Sequence, residues 1–392
     1  MDYLNSDYMM KLSTFLIALL LFTSCSPGGR GGSDGRVYDA STDAADSASL
    51  IVPVYAKGFS VKYLAGGVRL VDIQDPAGEN AATYRFALLP GGAEATAVPD
   101  GYTPIVTPVK SVICMTSLQL SGFICLGACR FVSGVTSTRH LFNEEMNSRI
   151  REGKTAKIGI EGSFDNEIII SLSPDVIFIS PFKRGGYESM KDTGIPLVPH
   201  LGYKEMTPLG QAEWMKFIAM FIGMEEEANS RFSEIETRYN ELKRLAADSP
   251  RRPVVFSGEI RGGNWYAVGG KSFLAQLFRD AGADYFLRND CQSGGVTLDF
   301  ETVYSQAESA EFWRIVNSYD GEYSYDALKA SDARYADFRA FRERKVVYCN
   351  MRRKPFYESM PMEPDIVLAD LIRAFHPDLL PEHEPKYYEI LK

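Results

Sequence analysis

From Glu225 to Ser249 the chain runs EEEANSRFSEIETRYNELKRLAADS without a Gly or a Pro. Ala228, Phe232, Ile235, Tyr239, Leu242 and Leu245 recur at spacings of three and four, which is one apolar stripe of an amphipathic helix. Glu225, Glu226 and Glu227 sit at the positive end of the helix dipole, and Lys243 and Arg244 near the negative end. At 1.5 Å per residue such a helix spans roughly 36 Å, about the width of a small domain. Alternating strand and helix patterns lie on both sides of it. The expectation is therefore a rigid strut between two α/β lobes.

With 392 residues the chain has room for two to three domains. Hydrophobic residues make up 45% and charged residues 24%, a globular composition. The net charge of −9 and the lack of a long basic run argue against nucleic acid as a partner.

The first segment reads as an export signal. Met9-Met10-Lys11 precedes an apolar run from Leu12 to Phe22, too short for a membrane span and of signal-peptide length. Thr23-Ser24-Cys25 follows; small residues before a Cys look like a bacterial lipobox, with Phe22 where Leu is usual. The expectation is lipidation at Cys25, so that residues 1–25 are a lipoprotein signal peptide. The Gly-rich stretch 26–36 then reads as a flexible tether.

Residues 37–108 alternate with period two between Gly and Pro punctuation and predict a small antiparallel β extension. Residues 109–206 read as a first α/β lobe, 207–249 as a helical linker with the strut, and 250–392 as a second α/β lobe. Strand–helix–strand order implies parallel pairing through crossovers. Beyond Cys25, five cysteines remain (Cys114, Cys125, Cys129, Cys291, Cys349) with no CxxC among them, a pattern that does not support a structural zinc site.

Four stretches stand out in order around the strut: Val112–Thr136, Glu167–Ile179 with Leu172-Ser173-Pro174-Asp175-Val176-Ile177, Gly270–Ala283, and Asp365–Leu380 with Phe375-His376-Pro377-Asp378. Together they resemble the class III periplasmic binding proteins, the solute receptors of iron-siderophore, haem and cobalamin ABC importers. The resemblance implies two Rossmann-like lobes joined by one long α-helix, with the ligand in the cleft between them. It also implies small domain movement, since a helix resists bending more than a loop hinge does.

The resemblance places partner docking at Glu167 and Glu301, one acid at the tip of each lobe, facing a permease dimer; the bland alternative is two first-turn acids favoured by the helix dipole. Ligand contacts are expected from loops at the cleft-facing strand ends. The candidates there are Thr116, Arg139, His140, Phe182, Lys183 and Tyr203 in the first lobe. In the second they are Arg261, Trp265, Tyr266, Arg352 and Arg353. Trp265 and Tyr266 offer flat faces for a chelated ligand, against core packing as the competing role for Trp265. The arginines and lysine would make a basic cleft suited to an anionic ferric chelate or to haem propionates.

The expected protein is thus an exported, membrane-anchored periplasmic lipoprotein. It would be monomeric, catalyse nothing, carry no resident metal or cofactor, and hand a small-molecule metal chelate (ferric siderophore, haem or cobalamin) to an ABC permease. No GxSxG, HExxH or P-loop speaks for an enzyme. A lipid-anchored hydrolase, a metal-cluster protein and an adhesion lipoprotein are the readings from other classes.

Overall fold

The computed structural model describes residues 49–78, 82–91, 98–136, 138–160, 163–181 and 187–392; the signal peptide, Cys25, the tether, Phe182 and Lys183 lie outside them. The described residues belong to one compact unit.

The first layer is a four-stranded sheet of β1 (Phe59–Tyr63), β2 (Arg69–Gln74), β3 (Thr83–Pro90) and β4 (Thr103–Thr107) in that order. The predicted antiparallel unit is only partly correct. β1–β2 and β2–β3 are antiparallel, but β4 pairs parallel to β3, with Phe86 opposite Thr103 and Pro90 opposite Thr107. β4 begins opposite Phe86, midway along β3, and a parallel partner requires a crossover rather than a tight turn.

The first lobe comprises β5 (Val112–Cys114), α1 (Ser117–Cys125), β6 (Val132–Val135), α2 (Glu144–Arg151), β7 (Ala156–Lys157), β8 (Gly159–Ile160), β9 (Ser163–Phe164), α3 (Asn166–Leu172), β10 (Val176–Ile179), α4 (Glu188–Lys191) and β11 (Leu197–Pro199). Its main sheet has the order β11-β10-β5-β6-β7, parallel throughout. The run Ala156–Ile160, which reads as one strand, is two. Gly159 adopts φ +96°, and a Cβ there would stand 2.4 Å from the Ser163 carbonyl oxygen. That turn directs β8 out of the sheet to pair with β9 as a hairpin.

Two helices link the lobes, α5 (Pro208–Ile222) and α6 (Glu225–Ala247). Thr207 caps α5 by accepting from Gly210 N, with Pro208 at its first position. Gly223, at φ +69°, closes it in the left-handed conformation. Every residue of α5 is buried, including Glu213 and Lys216. The strut α6 buries Ala228, Phe232, Ile235, Tyr239, Leu242 and Ala246, the predicted stripe with Ala246 in place of Leu245. Its C-terminal half is bonded to the second lobe: Tyr239 Oη donates to Asp280 over 2.7 Å, and Lys243 pairs with the same carboxylate at 3.1 Å.

The second lobe runs β12 (Val254–Ser257), β13 (Glu259–Arg261), β14 (Asn264–Val268), α7 (Phe273–Asp280), β15 (Asp284–Tyr285), β16 (Gly295–Leu298), α8 (Phe300–Ala307), β17 (Phe312–Asn317), α9 (Tyr325–Ser331), α10 (Arg339–Arg342), β18 (Val346–Asn350), α11 (Pro364–Phe375) and β19 (Glu389–Ile390). Its main sheet is β15-β12-β17-β18-β19, parallel but for β19. A second sheet, β13-β14-β16, stands beside it. One hydrophobic core includes Phe178 of the first lobe, Phe217 of α5, Phe232 of α6 and Leu274 and Phe312 of the second lobe. The lobes are therefore joined by shared apolar packing as well as by the strut, and such packing resists large hinge motion.

Candidate functional site

In both parallel sheets the C-terminal strand ends deliver the loops between the lobes, the usual ligand-binding side of a doubly wound sheet. From the first lobe, β5 leads to Thr116, β6 to the turn carrying Arg139 and His140, β10 to Ser180, and β11 to His200 and Tyr203. From the second, β12 leads into the β13–β14 hairpin, β17 ends at Asn317, and β18 ends at Asn350 before Arg352.

His140 and Tyr357 face each other across the lobes, ring centroids 6.1 Å apart. The imidazole is held below its ordinary pKa, first by burial and then by the charges of Arg139 and Arg352. One guanidinium from each lobe thus stands near the same neutral imidazole. The positive charge of Arg261 reaches Tyr357 in turn, although burial dominates and pushes that phenol up. Arg139 and Arg352 thus act on His140, and Arg261 on Tyr357, the ring that His140 faces. Arg261 pairs with Glu259 at 2.8 Å, and Arg352 with exposed Asp320 at 2.9 Å. Exposed pairs of this kind are weak, so an incoming anion has little to displace at Arg352.

Thr116 caps α1. Its main-chain N–H donates to Gln119 Oε1 at 3.0 Å, and Gln119 Nε2 donates to Ser180 Oγ at 3.2 Å. This bridge fixes the ends of the adjacent strands β5 and β10.

Trp265 is a correction. It is fully buried, donates its indole N–H to Ser257 O at 3.0 Å, and packs against Trp313 and Phe338. Residues 259–266 form a hairpin rather than a loop, and successive strand residues face opposite sides. Tyr266, one position on, is therefore outward and 46% exposed. Arg353 is also placed apart. It is exposed and lines a hollow with Tyr323, Tyr348, Lys354 and Glu389, all from its own lobe. Tyr203 packs partly buried against the first core at the end of edge strand β11, three strands from β6. His200, at the end of β11, is fully buried against Trp214, ring centroids 4.6 Å apart, and burial lowers its pKa to about 3.

Asn317 and Glu358 escaped the sequence reading. Asn317 Nδ2 donates to Glu259 at 3.3 Å and its oxygen accepts from Tyr348 Oη at 2.8 Å, which orders the floor of the second lobe. Glu358 accepts from Phe142 N of the first lobe at 2.9 Å. Tyr357 and Glu358 lie a few residues beyond the candidates Arg352 and Arg353, and that nearness was the available signal.

Glu167 and Glu301 lie away from this cluster, on α3 and α8. Both are exposed first-turn residues, and Glu301 has Arg334 at 3.8 Å.

Residues 112–352, more than half the chain, match the model of a family described as periplasmic binding protein. Two curated relatives, both uncharacterized lipoproteins of Methanocaldococcus jannaschii, are 23% and 25% identical. The first alignment covers 71% of this chain and 68% of the relative, the second 79% and 80%. Among solved structures, the TroA-like periplasmic binding protein FepB from Veillonella parvula superposes with a TM-score of 0.54 at 17% identity, over 73% of this chain and 96% of that one. A periplasmic heme binding protein from Pseudomonas aeruginosa gives 0.54 at 17%, over 69% and 94%. At such identities these two likenesses speak for the fold.

Proposed function

The chain belongs to the periplasmic binding protein family, and on that premise we propose that it is the substrate-binding lipoprotein of an ABC importer, capturing an anionic iron chelate of siderophore type between its lobes. The observation that carries the ligand class is the convergence of Arg139 and Arg352, from opposite lobes, on His140, with Arg261 beside Tyr357. Guanidinium groups are always charged and pair with carboxylate or catecholate oxygens through a rigid fork. Tyr266 and Tyr357, both exposed, offer ring faces for the organic part of the chelate. Binding and release require no bond to be made or broken, and ATP hydrolysis falls to separate subunits.

Haem is the second reading within the same fold, favoured by His140 beside Tyr357, since both residue types ligate haem iron. Cobalamin remains a third candidate cargo, without a specific contact in its favour.

The expected location is the periplasmic face of a membrane, held by lipid at Cys25. In support, the two relatives are named lipoproteins. Delivery would use Glu167 and Glu301 as docking acids for the permease dimer.

Calorimetric titration with ferric catecholate, carboxylate and hydroxamate complexes, haemin and cobalamin tests the ligand class. Micromolar or tighter binding of a ferric chelate, weakened by Arg352→Ala, is the expected result. Binding of none removes the reading. Tryptophan fluorescence is a poorer probe, because Trp214, Trp265 and Trp313 are all fully buried.

A further inference from the structure

Glu358 is 2% exposed and belongs to the second lobe, yet its hydrogen bonds reach into the first. Its carboxylate accepts from Phe142 N at 2.9 Å, and the main-chain N–H of the adjoining Asn143 also favours its charged form. Asn143 is the N-cap of α2, where its side chain accepts from Met146 N at 2.9 Å. The acid therefore sits at the positive end of a helix of the opposite lobe, where a negative charge is favoured. Burial pushes its pKa up, opposed by these main-chain bonds and by Lys386. Taking a carboxylate out of water is costly unless its oxygens are bonded, so the side chain is held to this place.

Position gives the contact its meaning. Phe142 and Asn143 end the turn that carries Arg139 and His140, and Glu358 follows Tyr357, whose ring faces His140. A short segment beyond, Met360 and Met362 are buried in the core shared by the lobes. The seam thus runs from apolar floor to carboxylate clasp to the His140–Tyr357 pair at the cleft.

We propose that Glu358 is a positioning residue for the cleft: by tying 357–358 to the N-terminus of α2 it holds the Arg139–His140 turn opposite Arg352 and Tyr357 before any ligand arrives. The role rests on the chelate-capture reading, and it implies that the two lobes bind with a preset rim. Preorganisation of this kind raises affinity by removing an ordering cost from binding.

Hydrogen exchange on the full chain without ligand tests it. In Glu358→Ala, amides of 139–147 should exchange about tenfold faster while strands β5, β10, β12 and β17 keep their protection. Glu358→Gln, which keeps one carbonyl acceptor and is the milder change, should recover part of the protection. Unchanged exchange at 139–147 in both variants overturns the proposal. So does a uniform rise across both lobes, which would mark the residue as a general stabiliser. Titration with haemin and a ferric catecholate complex forms the second arm. If wild type binds either, Glu358→Ala should bind about tenfold more weakly, mainly through faster dissociation; equal affinity overturns the positioning role. If wild type binds neither, the chelate reading fails, and exchange alone decides the clasp.

Discussion

Glu167 and Glu301 occupy the same station in the two lobes. Each lies two residues after an aspartate that caps its helix, Asp165 accepting from Ile168 N at 3.0 Å and Asp299 from Thr302 N at 2.7 Å. Each helix is also entered from a strand of an accessory sheet, β9 in one lobe and β16 in the other. The capping aspartates already meet the local demand for an acceptor at each N-terminus. Neither glutamate is required for that purpose, and both project into solvent.

Reversing their charge should therefore leave the fold intact and disturb only a partner. The double variant Glu167→Arg and Glu301→Arg is expected to unfold within about 0.5 kcal/mol of wild type and to bind ligand unchanged. Uptake of that ligand by cells should fall by about tenfold or more, because charge pairs across an interface govern orientation and encounter. Normal uptake would remove the docking role.

Trp265 and Tyr266 separate stability from binding on consecutive residues. Trp265→Ala opens a cavity among Phe256, Trp313 and Phe338 and should cost about 3–5 kcal/mol in urea unfolding. Tyr266→Ala removes an exposed ring and should change stability by less than about 0.5 kcal/mol. On the chelate reading it should weaken ligand binding measurably by calorimetry. A Trp265→Ala chain as stable as wild type would contradict the packing described here.

The strut helix, the parallel order of both lobes and the caps of α5, α7 and α8 were legible because they depend on local spacing and on capping chemistry. Strand β17 was not. Arg314 interrupts its apolar run and is accommodated by Ser257 Oγ and Tyr388 Oη, both from residues far along the chain. The Trp265 assignment failed for a related reason: a hairpin and a loop share the same Gly262-Gly263 turn signal, and only the strand phase tells which aromatic points inward. Of the site, the basic residues were nameable from sequence, whereas the approach of Arg139 and Arg352 to His140 depends on the relative placement of β6 and β18. The dominance of α5 was also hidden. Its polar residues Glu213 and Lys216 suggest a solvated face, and they are buried because they bond to one another and to residues 54–56.

His200 gives the protein an acid-sensitive element apart from any ligand. Its folded pKa of about 3 lies below the unfolded value near 6.5, so the native state holds it neutral. The sign follows: its contribution is fully present above pH 6.5 and is lost as pH falls from 6.5 toward 3, because the unfolded chain takes up the proton first. The loss approaches about 1.4 kcal/mol per pH unit, or on the order of 3 kcal/mol between pH 6.5 and 4.5. His200→Leu should flatten that part of the stability profile, read as urea midpoints at several pH values. Parallel profiles for the two proteins would show that the imidazole is not held neutral by burial.

The N-terminal extension should depend on Glu213 more than on any other single side chain. Fully buried on α5, Glu213 accepts from the main-chain N–H groups of Val54, Tyr55 and Ala56 at 2.7–3.0 Å and from Lys216 Nζ at 3.0 Å. Lys216 also stands 4.2 Å from the Phe232 ring of the strut. Glu205 extends the same pattern to Lys57 and Gly58, at 3.0 and 2.9 Å. Glu213→Ala leaves three N–H donors unmet and one ammonium buried without its counter-charge, a change expected to cost about 3–5 kcal/mol. Replacing both members, Glu213→Gln with Lys216→Met, should cost less than the single alanine, because no charge is then stranded. Limited proteolysis should cut the Glu213→Ala chain between residues 49 and 60 well before either lobe is attacked. If the double variant is the less stable of the two, the pair contributes more than the desolvation of its charges takes away, and the extension is held by the ion pair itself rather than by the main-chain bonds to Glu213.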